Sequence, residues 1–359
     1  DLLGAITRLY SDCYCVCGTH GKTTVSSMLT QIMIQCGKDP SAVIGGELPL
    51  IHSHGRVGET QNMVCEACEF KDHFLKLDPD IAIILNVDAD HLEYFKNIEN
   101  IIKSFNKFAK MANKAVIYNG DDANTLKAVA DVGGKDMITF GLDKSNDFYA
   151  ENVEMVNAFA HFDAYKKGEK IGSVKLKVPG KHNVTNALAA LAAADYCGIS
   201  FDKAIASLEQ FGGACRRFEI LAKLNCITFA DDYAHHPTEL RVTLEAAMQM
   251  KYRKVWAVFQ PFTYSRTKKL MDDFAEVLKI PDECVMTEIM GSREVNTEGV
   301  YTSQLAAKIP GSVWFNTFDE VADYVLAHVQ SGDLVITLGC GDIYKAAKIM
   351  IKRLEEANM

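Results

Sequence analysis

The chain has 359 residues, of which 48% are hydrophobic and 24% charged, so an ordinary globular protein of two or three domains is expected. Its formal net charge is −9 and it has no block of lysines and arginines, which argues against nucleic acid as a partner. We expect neither a membrane span nor a signal peptide, because no apolar run is long enough and no leader pattern opens the sequence. The 11 cysteines are scattered through apolar segments, which predicts reduced thiols and a cytoplasmic location.

A phosphate-binding motif follows the first apolar stretch, at 14–16. Its residues are Gly18, Thr19, His20, Gly21, Lys22, Thr23 and Thr24. Glycines allow a tight turn, so that backbone N–H groups and the positive end of the following helix face a phosphate. Lys22 would lie along the outer phosphates and the Thr23 hydroxyl would complete a Mg²⁺ shell. A glycine-rich turn that merely opens a helix is the alternative, but the Lys-Thr pair behind a strand favours a nucleotide triphosphate site. Because the lysine ends a solvent-facing loop, we expect its replacement to cost little stability.

The rest of the chain reads as two α/β regions separated by a meander. Strands and helices alternate up to residue 119, which predicts a doubly wound, mostly parallel sheet, with 47–61 as a loop. Short alternating strands at 147–178 predict an antiparallel meander. Residues 211–214 are the best linker candidate. Five strands of a second α/β region are expected near 227–230, 255–260, 283–288, 312–315 and 334–338.

Polar side chains close the two strands that follow the phosphate motif. Glu66 ends one and the segment 86–91, with His91, ends the next. Since the carboxyl ends of parallel strands share one edge, Glu66 and His91 would reach the same Mg²⁺–phosphate cluster. A single acid after a strand is more often a helix cap, but the convergence of candidates favours a metal site.

Three further clusters attract attention. Asn183 and Asn186 lie one turn apart at a helix start, where they either meet a purine edge or cap the helix. The segment 231–239 and the segment 259–267 are dense in polar side chains, and Arg266 is a candidate clamp for a carboxylate or phosphate. Arg216 and Arg217, beside the linker, are either a surface pair or arginines that a hinge brings to ATP.

Together these motifs resemble the Mur ligase family. The resemblance runs through the motif 18–24, Glu66-Ala67, Asn86 with Asp90-His91, Gly180 with His182-Asn183 and Asn186, Arg216-Arg217-Phe218, the segment 232–239, and the segments 259–261 and 265–267. It implies an α/β fold: a P-loop-type central ATPase domain with a mostly parallel sheet and a small antiparallel meander, followed by a Rossmann-like domain. The domains would be 1–213 and 214–359. The resemblance covers the family's central and C-terminal domains and does not extend to its UDP-binding N-terminal domain, so we expect residues 1–359 by themselves to bind Mg·ATP but to ligate poorly.

The resemblance also implies an activity and a set of roles. It implies ATP-dependent ligation of L-alanine to the carboxylate of UDP-N-acetylmuramate through an acyl phosphate, for peptidoglycan synthesis. Catalytic roles fall to Lys22, Glu66, His91, His235 and Arg266. Mg²⁺ would be held by Thr23, Glu66 and His91, and the nucleotide by the loop 18–24 with His182, Asn183, Asn186, Arg217, Asp232 and Tyr233. His235 and Arg266 would hold the alanine.

Three residues depart from the family pattern, and two alternative functions stay open. Cys68 stands where an acid is often found, Val25 where a threonine is, and Thr263 where an arginine is. A related ligase that attaches a tripeptide to the same sugar is a near alternative. A nucleotide-binding regulatory protein without ligase chemistry is an alternative of another class, and the oligomeric state is not predicted.

Overall fold

A computed structural model describes residues 2–297 and 299–357. The chain divides into two compact units, Asp1–Cys215 (unit 1) and Arg216–Met359 (unit 2).

Unit 1 alternates strands and helices before ending in a meander and two helices. Its strands are β1 Asp12–Cys17, β2 Ser41–Leu48, β3 Ser53–Arg56, β4 Asn62–Glu66, β5 Ile81–Ile84, β6 Ala115–Asn119, β7 Asp136–Gly141, β8 Phe148–Val156, β9 Phe159–Lys166 and β10 Glu169–Pro179. Its α-helices are α1 Leu2–Thr7, α2 Lys22–Gln35, α3 Leu92–Phe95, α4 Ile98–Met111, α5 Ala123–Val129, α6 His182–Tyr196 and α7 Phe201–Leu208, and 3₁₀ helices span Pro49–Ile51 and Phe70–Lys76.

One ten-stranded sheet organises unit 1, in the order β10-β9-β8-β7-β6-β5-β1-β4-β2-β3. Its centre is parallel, whereas β8, β9 and β10 pair antiparallel at one edge and β2 with β3 at the other. The central strands β1 and β5 are buried on both faces, as parallel strands covered by helices must be. The expected fold class, a mostly parallel sheet with an antiparallel meander, is confirmed.

The order of strands places the phosphate motif in the middle of the sheet. β1 lies between β4 and β5 and runs parallel to both. The loops that leave these three strands therefore meet at one sheet edge. This neighbourhood is the structural basis of the site.

Two sequence expectations for unit 1 need correction. The segment 47–61 is not simply a loop, because it contains the 3₁₀ helix and β3, which pairs with β2. None of the four residues of β3 is buried or apolar, so the strand carries no apolar alternation to reveal it. β7 was also missed.

Unit 2 is a second α/β layer structure. Its strands are β11 Glu219–Leu224, β12 Ile227–Asp232, β13 Val255–Phe259, β14 Glu283–Thr287, β15 Val313–Phe315 and β16 Leu334–Leu338. Its helices are α8 Pro237–Gln249, α9 Tyr264–Lys269, α10 Met271–Val277, α11 Thr302–Ala306, α12 Phe318–His328 and α13 Tyr344–Ala357. The sheet order is β11-β12-β16-β13-β14-β15, parallel except for β11. The five expected strands are present, and only β11 was not foreseen.

Two general features complete the description. All cysteines lie within the described residues and all are free thiols. In the part of the chain that the structure describes, none of the helices has the length and apolarity to cross a bilayer.

Candidate functional site

The loop after β1 is shaped by two glycines in positive-φ conformations. Gly18 has φ +145° and a Cβ there would stand 2.9 Å from the Cβ of Leu85. Gly21 has φ +86°, and a Cβ there would stand 2.7 Å from Oδ1 of Asn186. Other residues would be strained and crowded at both positions. The loop then runs directly into α2, whose first residue is Lys22.

Asn86, after β5, fastens this loop from the side. Its Oδ1 accepts a hydrogen bond of 2.8 Å from the backbone N–H of His20, and its Nδ2 donates to the His20 carbonyl at 3.1 Å. The backbone N–H of Thr19 donates to the Asn86 carbonyl, and the Thr19 hydroxyl accepts from the N–H of Asp88 at 2.8 Å. The loop is thus held in shape by the neighbouring strand end.

Lys22 is a paired, half-buried side chain rather than an exposed one. Its Nζ donates to the carbonyls of Gly18 at 2.6 Å and Thr19 at 3.1 Å, and to Oε1 of Glu69 at 3.1 Å. Oε2 of Glu69 lies 2.9 Å from the same nitrogen. Burial is the largest single influence and acts to lower the pKa of Lys22, but the charge and hydrogen bond of Glu69, with smaller contributions from Cys68 and Glu66, together outweigh it, and the pKa is raised. Lys22 therefore does not end a solvent-facing loop, which was the premise for a small stability cost, and we now expect its replacement to destabilise the fold, since Glu69 would be left buried without its counter-ion.

Thr23 and Glu66 are brought together as predicted for metal ligands. The Thr23 hydroxyl donates to Oε1 of Glu66 at 3.1 Å, and Oε2 accepts from the backbone N–H of Gly45 at 2.7 Å. Among the described residues, no group of three or more His, Cys, Asp and Glu side chains forms a ready cage for a metal ion. A hydroxyl and a carboxylate beside a phosphate loop nevertheless fit Mg²⁺, which takes few protein ligands and completes its shell with phosphate oxygens and water.

His91 stands on the loop after β5 with an uncommon backbone. It has φ +52° at the start of α3. Its ring centroid lies 4.6 Å from that of Phe70, and its Nε2 lies 3.8 Å from Oδ2 of Asp90. The loop that carries it adjoins the phosphate loop, and its role as a metal ligand stays a prediction.

At the start of α6, the two asparagines are turned inward. Nδ2 of Asn183 donates to the Pro179 carbonyl at 2.7 Å, and Nδ2 of Asn186 donates to Oδ1 of Asn183 at 2.9 Å. Both side chains are buried, and Asn186 adjoins Gly21, as its closeness to a Cβ there shows. His182, the first residue of α6, is exposed. Contact of these residues with adenine stays a prediction.

In unit 2, Arg216 is locked in place. Its guanidinium carbon lies 4.9 Å from the ring centre of Tyr233 and 4.8 Å from that of Tyr344. Its Nε donates to the buried Asp231 at 2.7 Å and a terminal nitrogen donates to the Gly339 carbonyl at 2.7 Å. Arg217 lies 5.4 Å from the Tyr233 ring. Of the two arginines, the structure therefore commits Arg216 to holding its own unit together.

Asp232 is a buried carboxylate with an altered acidity. Its oxygens accept hydrogen bonds from the N–H groups of Ala234 at 2.7 Å and Phe218 at 2.8 Å. Burial raises the pKa of Asp232 to about 6, against the lowering effect of Arg217 and of these two donors. The carboxylate joins the start of unit 2 to the loop after β12.

His235 stands on the loop after β12, and Arg266 stands on α9, the short helix that follows β13. Nδ1 of His235 lies 3.0 Å from the Tyr233 carbonyl and 3.4 Å from Oε2 of Glu239. Its ring centre is 6.4 Å from that of Phe262, and Arg266 follows in α9. Pro237 opens α8, as expected. Binding of an amino acid by these two residues stays a prediction.

Two parts of the candidate sites were not predicted from the sequence: Glu69 and the loop after β16. Glu69 was passed over, although an acid three residues after Glu66 was visible, because its contact with Lys22 depends on the fold of the segment after β4. Strand β16 lies between β12 and β13 in the sheet. The loop after β16 was also not predicted to contribute. Its Gly339 N–H donates to the Asp232 carbonyl and its Asp342 N–H donates to Oε1 of Gln260. The glycines at 339 and 341 were the available signal.

The fold and the loop define a phosphate-loop α/β protein with a second α/β domain. Residues 16–194 match the family model described as Mur ligase middle domain, and residues 216–341 match that described as Mur ligase, glutamate ligase domain. The chain belongs to the Mur ligase family, and the resemblance inferred from its motifs is confirmed.

Within this family, the chain is similar in sequence to ligases that add L-alanine. The chain is 42% identical over 359 residues to the UDP-N-acetylmuramate–L-alanine ligase of Acetivibrio thermocellus, covering 98% of this chain and 76% of that protein. It is 41% identical to the enzyme of the same name from Caldanaerobacter subterraneus subsp. tengcongensis, covering 99% of this chain and 78% of that one.

Solved structures agree with this. The UDP-N-acetylmuramate–alanine ligase of Thermotoga maritima superposes with a TM-score of 0.84 at 26% identity, over 99% of this chain and 78% of its own. A murein peptide ligase from Psychrobacter arcticus gives a TM-score of 0.72 at 26% identity, over 97% of this chain and 78% of its own.

Proposed function

We propose that the protein joins L-alanine to the carboxylate of UDP-N-acetylmuramate at the expense of ATP, as a cytoplasmic step of peptidoglycan precursor synthesis. The observation that carries the proposal is the phosphate loop with Lys22, Thr23 and Glu66 at the centre of the sheet, in a chain about 40% identical to ligases of that name. A phosphate loop can place ATP so that it activates a carboxylate. The substrates that we propose are those named for the similar ligases.

Roles follow from the chemistry of each side chain. The loop N–H groups and the start of α2 receive the phosphates, and Lys22 turns from its own loop to the transferred phosphoryl group. Thr23, Glu66 and His91 would hold Mg²⁺, which supplies charge neutralisation on the phosphate oxygens. We assign His182, Asn183, Asn186, Arg217, Asp232 and Tyr233 to the nucleotide, and His235 and Arg266 to the alanine.

The reaction needs two displacements. The sugar carboxylate attacks the γ-phosphorus in line, which breaks the bond to ADP and gives an acyl phosphate. The neutral amine of L-alanine then attacks the acyl carbon and expels phosphate. Lys22 stabilises the charge that develops in the first displacement, and Arg266 would orient the alanine carboxylate for the second.

Mass spectrometry of the products tests the proposal. The intact protein is supplied with ATP, Mg²⁺, UDP-N-acetylmuramate, a mixture of amino acids and the murein tripeptide, with ATP omitted as the control. We expect a UDP-sugar extended by alanine, together with ADP and phosphate. A tripeptide adduct instead would assign the protein to the related recycling ligase, and nucleotide hydrolysis without any new amide would refute ligase activity.

A further inference from the structure

Glu69 occupies a position in which it competes with phosphate for the loop lysine. Only 3% of the residue is exposed. Nζ of Lys22 has three N–H donors, and these meet the carbonyls of Gly18 and Thr19 and the carboxylate of Glu69. The ammonium group is thus fully satisfied by the chain itself. A phosphate can engage it only by replacing one of these oxygens.

The backbone around Glu69 fixes the carboxylate at this place. Two and three residues beyond Glu69, Lys71 and Asp72 take left-handed conformations with φ +52° and +57°. The carboxylate of Asp72 holds the strained turn by accepting hydrogen bonds from the Tyr94 hydroxyl at 2.8 Å and from the Ser104 hydroxyl. Strain of this kind persists only where the surroundings impose it. Glu69 therefore remains beside the loop when the lysine turns to a phosphate.

The surroundings of the loop are already negative. Glu66 lies against Thr23, and Oδ2 of Asp88 lies 3.5 Å from Nε2 of His20. Nucleotide without metal adds further negative charge at a site where Lys22 is already neutralised by Glu69. A divalent cation on the phosphates and on Glu66 reverses that balance. In a partly buried site, one such charge changes binding by about tenfold or more.

We propose that Glu69 is a charge gate: it lies beside Lys22 so that the loop rejects metal-free nucleotide and accepts the nucleotide only together with a divalent cation. The inference rests on the proposed function, since it concerns the same ATP site. It assigns to Glu69 the regulation of binding and no part in bond making.

Isothermal calorimetry with ATP, once in EDTA and once in excess Mg²⁺, tests the gate. Glu69→Gln keeps the size and the acceptor oxygen but removes the charge, whereas Glu69→Asp keeps the charge. Glu99→Gln, on the exposed face of α4, is the matched control. We expect Glu69→Gln to bind ATP at least about tenfold more tightly than the wild type in EDTA and within about threefold of it in Mg²⁺. The Asp variant and the control should behave like the wild type.

Other results would overturn the gate. If Glu69→Gln weakened binding in both conditions, Glu69 would serve to position Lys22 for phosphate. Equal changes with and without Mg²⁺ would also refute it. Glu69→Met, which fills the space without a charge, carries the same test if the Gln variant does not fold. A wild type that binds no ATP even in Mg²⁺ would refute the proposed function itself, whereas normal Mg·ATP binding without a difference between the variants would refute the gate alone.

Discussion

Lys22 in unit 1 is held by oxygen atoms, two of them carbonyls of its own loop, whereas Arg216 in unit 2 is held between two aromatic rings and a buried carboxylate. Every partner of the lysine is an oxygen that a phosphate oxygen can replace. The partners of the arginine include two tyrosine ring faces, against which its planar guanidinium packs. Lys22 can therefore exchange its present partners for phosphate oxygens, which suits a catalytic role. Arg216 instead stabilises the structure of unit 2.

Replacing Lys22 by Met should give the largest effect. We expect ATP turnover to fall by about 100- to 1,000-fold, because the main cation on the transferred group is lost. Unfolding should also become easier, because Glu69 stays buried and unpaired. The double variant Lys22→Met, Glu69→Gln should regain stability without regaining turnover. Near-normal turnover in the single variant would refute the phosphate-loop assignment.

Arg216→Ala should mainly affect stability. It leaves the buried Asp231 without its counter-ion and opens the space between two tyrosines, so we expect the free energy of unfolding to fall by about 3 kcal/mol. Arg217→Ala is the matched control, with a stability change below about 0.5 kcal/mol and a weakened affinity for ATP. Thermal unfolding and calorimetry measure the two quantities. Equal stability loss in both variants would erase the distinction between the arginines.

Asp232 predicts a pH dependence in unit 2. Since its folded pKa of about 6 lies above the ordinary 3.8, the folded state binds this proton more tightly than the unfolded state. Its stabilising contribution is complete below about pH 4 and is lost as the pH rises through about 6. As the pH rises from about 4 to about 6, the free energy of unfolding of the wild type should fall by about 2 kcal/mol relative to that of Asp232→Asn, which lacks the titrating group. A difference that does not change with pH would contradict the assignment.

Glu66→Gln should produce the smallest of these effects. The amide keeps an acceptor for the Gly45 N–H but loses the charge that Mg²⁺ requires, so we expect the Mg²⁺ concentration for half-maximal ATP binding to rise by about tenfold. His91→Asn should act in the same direction. An unchanged titration in both variants would place the metal elsewhere, and Glu99→Gln provides the comparison.

The contrast between Lys22 and Arg216 also marks the limit of reading the sequence. The spacing of Gly21, Lys22 and Thr23 behind a buried strand was sufficient to predict the loop, because local chain geometry determines it. The approach of Glu66 followed from parallel strand order. The ion pair of Glu69 did not, because it depends on a strained turn held by side chains from α3 and α4. Nor did the fastening of Arg216, which needs Tyr344, more than 100 residues away along the chain.

The transfer of oxygen from the sugar carboxylate to phosphate tests the account most directly. UDP-N-acetylmuramate carrying ¹⁸O in its carboxylate is incubated with the intact protein, ATP, Mg²⁺ and L-alanine, and the released phosphate is examined by ³¹P NMR. Activation of the carboxylate on the phosphate loop predicts one labelled oxygen in each phosphate formed with a new amide. Unlabelled phosphate beside the same amide would contradict the acyl-phosphate route and the role given to Lys22.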